Sequence, residues 1–171
     1  MPNSTRGASP VPPAKDERNE TVRRHADTVW RIALSRTRKE EAAEEVFQEV
    51  FMRLFEKERT FDSDEHCKAW LIRTTLICCK RYFAATFKNT TLTLEEVGDL
   101  ASVPEEEHGL FAALLKLPAK YRIPIQLYYI EQIPAETCAE ILELRPGSFR
   151  SRLSRGKEML RELLKGDGID V

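Results

Sequence analysis

Val22, Ala26, Val29 and Ala33 recur at spacings of four, three and four, which is one face of a helix. The spacing returns at Ala43, Phe47, Val50 and Leu54 and predicts a second helix from about Glu40 to Lys57, with Val46, Phe51 and Phe55 widening its stripe. Phe61-Asp-Ser-Asp-Glu breaks the pattern, and Asp62, Ser63 or Asp64 is suited to cap the next helix. That third helix, Glu65 to Phe87, carries Trp70, Leu71, Thr74, Thr75, Cys78 and Tyr82 on its apolar side. These three amphipathic helices predict a compact bundle.

Beyond it the pattern lapses. From 91 to 108 the chain holds Glu95, Glu96, Asp99, Glu105, Glu106 and Glu107 and no Lys or Arg. That composition reads as a solvated linker, or as an acidic strip lying on a basic surface of this chain or a partner. Helical spacing resumes at Gly109. Leu110, Leu114, Leu115 and Leu117 precede Pro118, and a helix from Tyr121 to Ile130 comes next, with Pro124 in its first turn, where proline is tolerated. Another short helix starts at Pro134 and runs Ala135 to Leu142; Pro146 then opens a long last helix to about Leu164. Two helices joined by such a short turn form a helix-turn-helix.

At about 100° per residue, the last helix has a buried stripe of Phe149, Leu153, Gly156 and Leu160. Ser148, Ser151, Ser154 and Arg155 point away from that stripe, with Arg150 and Lys157 on one flank and Arg152 on the other. Residues 145–157 contain Arg145, Arg150, Arg152, Arg155 and Lys157 and no acid. Short hydroxyl side chains permit close approach to base edges, and arginines reach phosphates or guanine, so this face suits a DNA major groove. The plainer alternative is a solvated basic surface.

The composition sharpens this local reading. Across 171 residues, 27 Lys and Arg stand against 28 Asp and Glu, a formal charge of −1, so the whole chain is no polycation. Seven glycines and 42% hydrophobic content favour helices over a β-sandwich or barrel. No apolar run is long enough to insert in a membrane. The Pro- and charge-rich start, 1–20, reads as a disordered leader without a secretory h-region. Cys67, Cys78, Cys79 and Cys138 lack metal-ligand spacing and read as reduced, packed thiols of a cytoplasmic protein. His25, His66 and His108 are scattered and there is no glycine-rich phosphate loop, so the expectation is a non-enzyme without metal or cofactor.

Several stretches resemble the extracytoplasmic-function (ECF) class of bacterial sigma factors. They are Glu45-Val-Phe-Gln-Glu-Val-Phe-Met-Arg-Leu-Phe, Lys68-Ala-Trp-Leu-Ile-Arg, Leu117-Pro-Ala-Lys-Tyr-Arg, Tyr129-Ile-Glu-Gln-Ile-Pro and Gly147-Ser-Phe-Arg-Ser-Arg-Leu-Ser-Arg-Gly-Lys. The resemblance implies an all-α chain of two small helical domains joined by a flexible acidic linker. Sigma domain two, with three or four helices, would occupy 21–88, the linker 89–108, helix-turn-helix sigma domain four 109–165, and a tail 166–171. It implies core RNA polymerase as partner, through its β′ clamp helices and β flap, together with promoter DNA and an anti-sigma factor.

Gln48, Glu49 and Arg53 would contact polymerase. Lys68, Arg73, Ile77, Lys80, Arg81 and Lys88 would serve the −10 element. Arg145, Ser148, Arg150, Ser151, Arg152, Arg155 and Lys157 would serve the −35 element. Trp70 reads as a core anchor. Ile77 and Arg81 stand where the family usually has asparagine and aspartate, Glu143 where the turn often has glycine, and Arg145 where a Ser or Thr cap is usual. A stand-alone helix-turn-helix regulator and a sigma-like interaction module without promoter binding are the alternatives.

Overall fold

The structure is a computed structural model, which describes residues 15–88, 99 and 109–168. The helices are α1 (Lys15–Thr37), α2 (Glu40–Glu56), α3 (Asp64–Thr86), α4 (Gly109–Leu115), α5 (Ala119–Ile125), α6 (Ala135–Ile141) and α7 (Pro146–Gly166); a π-helical turn, Gln126–Ile130, continues α5. Helices α1 to α3 pack on one another around Val29, Ala33, Val46, Val50, Leu71 and Cys78. Ser63 caps α3, its side chain accepting from the His66 N–H at 3.1 Å. In the first turn of α3, Asp64 accepts from Arg24 and pairs with His25, each at 3.0 Å, and the bond from Arg24 holds its carboxyl below the usual value.

Two expectations need correction. The stretch read as leader is already helical from Lys15. Periodicity misses it because these residues bury no stripe; they extend a helix nucleated downstream. Local contacts support the extension: Thr21 Oγ1 donates to the Glu17 carbonyl at 2.9 Å, Glu20 pairs with Arg24 at 3.6 Å, and the Arg18 guanidinium lies 5.7 Å from the Phe55 ring centroid. The remainder of the leader, 1–14, lies outside the described residues. Pro124 also sits deeper than the first turn, because α5 starts at Ala119 rather than Tyr121. There its ring removes a helix donor. The backbone widens directly afterwards, and Glu131 N–H bonds to the Gln126 carbonyl at 2.9 Å.

Helices α4 to α7 form the second body, with Leu114, Leu117 and Ile125 packed against Leu153, Leu160 and Leu163. Gly156 lets α7 lie close on α5: a Cβ there would stand 2.8 Å from Ile125 Cδ1 and 3.2 Å from the Tyr121 carbonyl oxygen. The two bodies touch. Ile32 of α1 and Ile72 of α3 are buried in one cluster with Ile123, Leu127, Ile133, Cys138 and Phe149.

Most of the expected linker lies outside the described residues, Asp99 excepted. Its carboxylate accepts from Arg122 Nη2 at 3.2 Å and from the Ala119 N–H at 3.1 Å, while its carbonyl accepts from Arg38 Nη1 at 2.8 Å. At this acid the strip does lie on basic groups of the same chain. Arg122 is wholly buried and also donates to the Leu117 carbonyl. Burial pushes its guanidinium down to about 9, the nearby Arg38 charge adds to this, and Asp99 opposes it.

Candidate nucleic-acid and polymerase interfaces

The sequence of α7 decides which of its faces is free. Phe149, Gly156 and Leu164 are buried, so Arg145, Ser148, Arg150, Ser151, Ser154 and Arg155 are left exposed. Pro146 starts the helix and Arg145 supplies no side-chain cap. The first-turn N–H groups are therefore left to a ligand or water.

The remaining two basic residues leave this face. Arg152 is half-buried in a crevice between the two bodies, with Arg73, Lys80, Lys120 and Glu143. Lys157 Nζ lies 5.4 Å from the Tyr129 ring centroid, at the rim of an apolar groove of about 280 Å³ lined by Leu110, Leu114, Ile125, Ile130, Leu160 and Leu164. Leu110 and Tyr129 are exposed in that groove.

Helix α3 distributes its candidate residues over three environments. Arg73, Ile77 and Lys80 are exposed and line the crevice; Lys88 is exposed just past the helix end. Arg81 turns the other way, its Nη1 donating to Glu49 Oε1 at 3.4 Å. Lys68 donates from Nζ to the Glu131 carbonyl at 2.7 Å and so reaches the second body. Trp70 is half-buried under Arg59, whose guanidinium lies 4.5 Å from its ring centroid, and beside Phe61. That placement fits an anchor better than a free stacking surface.

On α2, Gln48 is exposed, while Glu49 is half-buried and already engaged. Arg53 donates to it from Nε at 3.1 Å and from Nη2 at 2.8 Å, which raises the arginine's pKa. Glu49, Arg53 and Arg81 thus form one network, with exposed Met52 and Ile77 lining the same hollow. All four thiols are buried: burial, foremost, raises Cys67 and Cys78 to about 11 and Cys79 and Cys138 to about 12. Among the described residues no three His, Cys, Asp or Glu side chains are grouped to hold a metal ion, and no helix is long and apolar enough to cross a membrane.

Three further residues were missed by the sequence reading: Glu131, Arg31 and Thr28, which tie one body to the other. One signal was present. Glu131 and Gln132 interrupt the apolar run from Leu127 to Ile133, and an acid in such a run is buried only with partners.

Two family models match the chain, Sigma-70 region 2 over residues 21–86 and Sigma-70, region 4 over residues 109–160. The chain is similar to the ECF RNA polymerase sigma factor SigM of Bacillus subtilis, 26% identical, covering 85% of this chain and 93% of that protein. It is also similar to the ECF RNA polymerase sigma factor SigE of Mycolicibacterium smegmatis, 29% identical over 85% of this chain and 61% of the relative. Among solved structures it resembles the sigma factor RpoE of Bartonella quintana, in complex with the anti-sigma factor NepR. That match has a TM-score of 0.66 and 25% identity, over 89% of this chain and 98% of the other. The fold is shared with CnrH, solved with the cytosolic domain of CnrY, at a TM-score of 0.62 and 24% identity over 90% and 91% of the two chains.

Proposed function

The chain belongs to the ECF class of the sigma-70 family, and we propose that it binds polymerase through α2 and the α4–α7 groove and the two promoter elements through α3 and the outer face of α7. Family members are transcription initiation factors: they bind core RNA polymerase and direct it to promoters. In this reading the exposed side of α2, with Gln48 and the Glu49–Arg53 pair, docks on the β′ clamp helices. The groove between α4 and α7 accepts an apolar helix of the β flap, with Lys157 and Arg161 at its rim. Helix α7 enters the −35 major groove, Ser148 and Ser151 allowing approach while Arg150 and Arg155 reach base edges or phosphates. Helix α3 and the residues just past it offer Arg73, Lys80 and Lys88 to the phosphates of the −10 strand, which is bound single-stranded.

One observation carries this reading: both sigma regions lie on one chain, and α7 buries one face while leaving a continuous serine–arginine face in solvent. The site of action is the cytoplasm, where polymerase works. Relatives solved with an anti-sigma factor support the same kind of regulator here. The test is initiation by purified core polymerase on a promoter library. Transcripts starting downstream of a shared −35/−10 pair are expected. Core binding without initiation at any sequence, under conditions where a control sigma factor initiates, would turn the assignment towards an interaction module.

A further inference from the structure

The seam between the two bodies is apolar in its middle and ionic at its edge. Beside Ile32 and Ile72 stands Glu131, 1% exposed and contributed by the second body. Its carboxylate accepts from Arg31 Nε at 2.9 Å, Arg31 Nη2 at 3.1 Å and Thr28 Oγ1 at 3.0 Å, all from α1. Lys68 Nζ of α3 lies 4.0 Å from the same carboxylate and bonds the Glu131 carbonyl. Among the described residues, every side-chain donor to this acid comes from the opposite body. Intact buried ion pairs add little net stability, but removing one partner is costly because the other charge is left buried and uncompensated. At a second point Arg38 Nη2 donates to the Leu117 carbonyl at 3.0 Å.

We propose that Glu131 is a latch holding a closed conformer in which α3 is withheld from promoter DNA, so that promoter loading requires the latch to part. The proposal rests on the function assigned above. Lys68, one of the cations of α3, is engaged by the latch, and Arg73 and Lys80 open into the crevice against the second body.

Scale supports the same conclusion. A compact chain of this length has a radius of gyration of about 16 Å and is roughly 40 Å across. The −10 and −35 elements lie about 25 base pairs apart, on the order of 85 Å of duplex at 3.4 Å per step. A closed body cannot reach both.

Opening is opposed by the latch and the apolar seam. It is favoured by like charge across the crevice, where Arg73 and Lys80 of α3 face Lys120 and Arg152, with Glu143 the one acid lining it among the described residues. DNA phosphates shift that balance by binding the cations once they are apart. When the seam parts, the Glu131 carboxylate and its donors return to water, so neither state leaves a charge stranded.

The test combines solution scattering with transcription, using the full chain carrying Glu131→Gln, which leaves the part-exposed Arg31 unpaired, or Arg31→Met, which leaves the buried carboxylate without its bidentate partner. Removing one partner of a buried, hydrogen-bonded charge pair shifts such an equilibrium by at least about thirtyfold. The radius of gyration should therefore rise by about a quarter in Glu131→Gln and by at least as much in Arg31→Met, with helical circular dichroism unchanged. The concentration giving half-maximal promoter-directed transcription should fall at least about threefold. Wild-type dimensions in both variants would overturn the latch. Expansion with an unchanged half-maximal concentration would overturn the withholding of α3. If even the wild-type chain initiates nowhere, the promoter-level reading falls, while the scattering still decides the latch.

Discussion

Glu143, just past α6, stands in the left-handed region at φ 54. Its N–H bonds the Glu140 carbonyl at 3.1 Å, and the Leu144 N–H reaches back to the Ala139 carbonyl at 2.9 Å, the paired bonds of a Schellman stop. Glycine meets that backbone without strain, whereas a residue with a Cβ is held there at a cost of about 1 kcal/mol. Glu143→Gly is expected to stabilise the protein by about that amount, read as a higher midpoint in urea. Gly156 has the opposite requirement, lack of volume. With a Cβ already in contact range of Ile125 and Tyr121, Gly156→Val should destabilise by about 2 kcal/mol or more, since overpacking forces α7 off α5. Chemical denaturation measures both. The sequence alone flagged Glu143 as a non-glycine in a turn position and placed Gly156 on the buried stripe; it could not show what stood opposite Gly156.

At the scale of the element, α7 explains what a helical wheel can and cannot deliver. Angles measured from Phe149 correctly separate inward from outward residues, because burial of one stripe is a property of the helix itself. Which neighbour an outward residue meets depends on the rest of the molecule. Arg152 therefore turns out to face the crevice, and Lys157 the apolar groove.

The two cations should behave differently towards a −35 duplex. Arg155→Ala should weaken binding and lower the salt slope by about one unit if it contacts a phosphate. Lys157→Ala should leave that slope unchanged and weaken association with core polymerase instead. Titrations at several salt concentrations, with and without core, separate the two. Helix α2 was legible almost to its ends for the same reason as the stripe of α7. The first turns of α1 were not, being polar all round, and neither was the widened turn after Pro124, since a π turn has no hydrophobic period of its own.

For the whole molecule, the two sequence blocks were readable as two helical bodies, but their contact was not. Ile32 and Ile72 lie off the regular stripes of α1 and α3, and an apolar residue in such a place is ambiguous between surface and interface. In the structure both are fully buried against the second body. Denaturant unfolding of the wild-type chain is therefore expected to be a single transition. Ile72→Ala, at a cost of about 2–4 kcal/mol, should split it into two, visible as non-coincident tryptophan fluorescence and helical signals. Both tryptophans, Trp30 and Trp70, lie in the first body, so fluorescence follows that half while ellipticity follows both.

The same seam has a consequence during synthesis. Ile32 and Ile72 leave the ribosome long before Phe149, the last buried residue of the cluster that covers them. At about 5–20 residues per second, the nearly eighty residues from Ile72 to Phe149 take roughly 4–15 s to add. For that interval the nascent first half presents two bare isoleucines to the cell. Translation of the helix-turn-helix is then also the step that closes this sticky surface, and a transcript truncated before it would yield an aggregation-prone fragment.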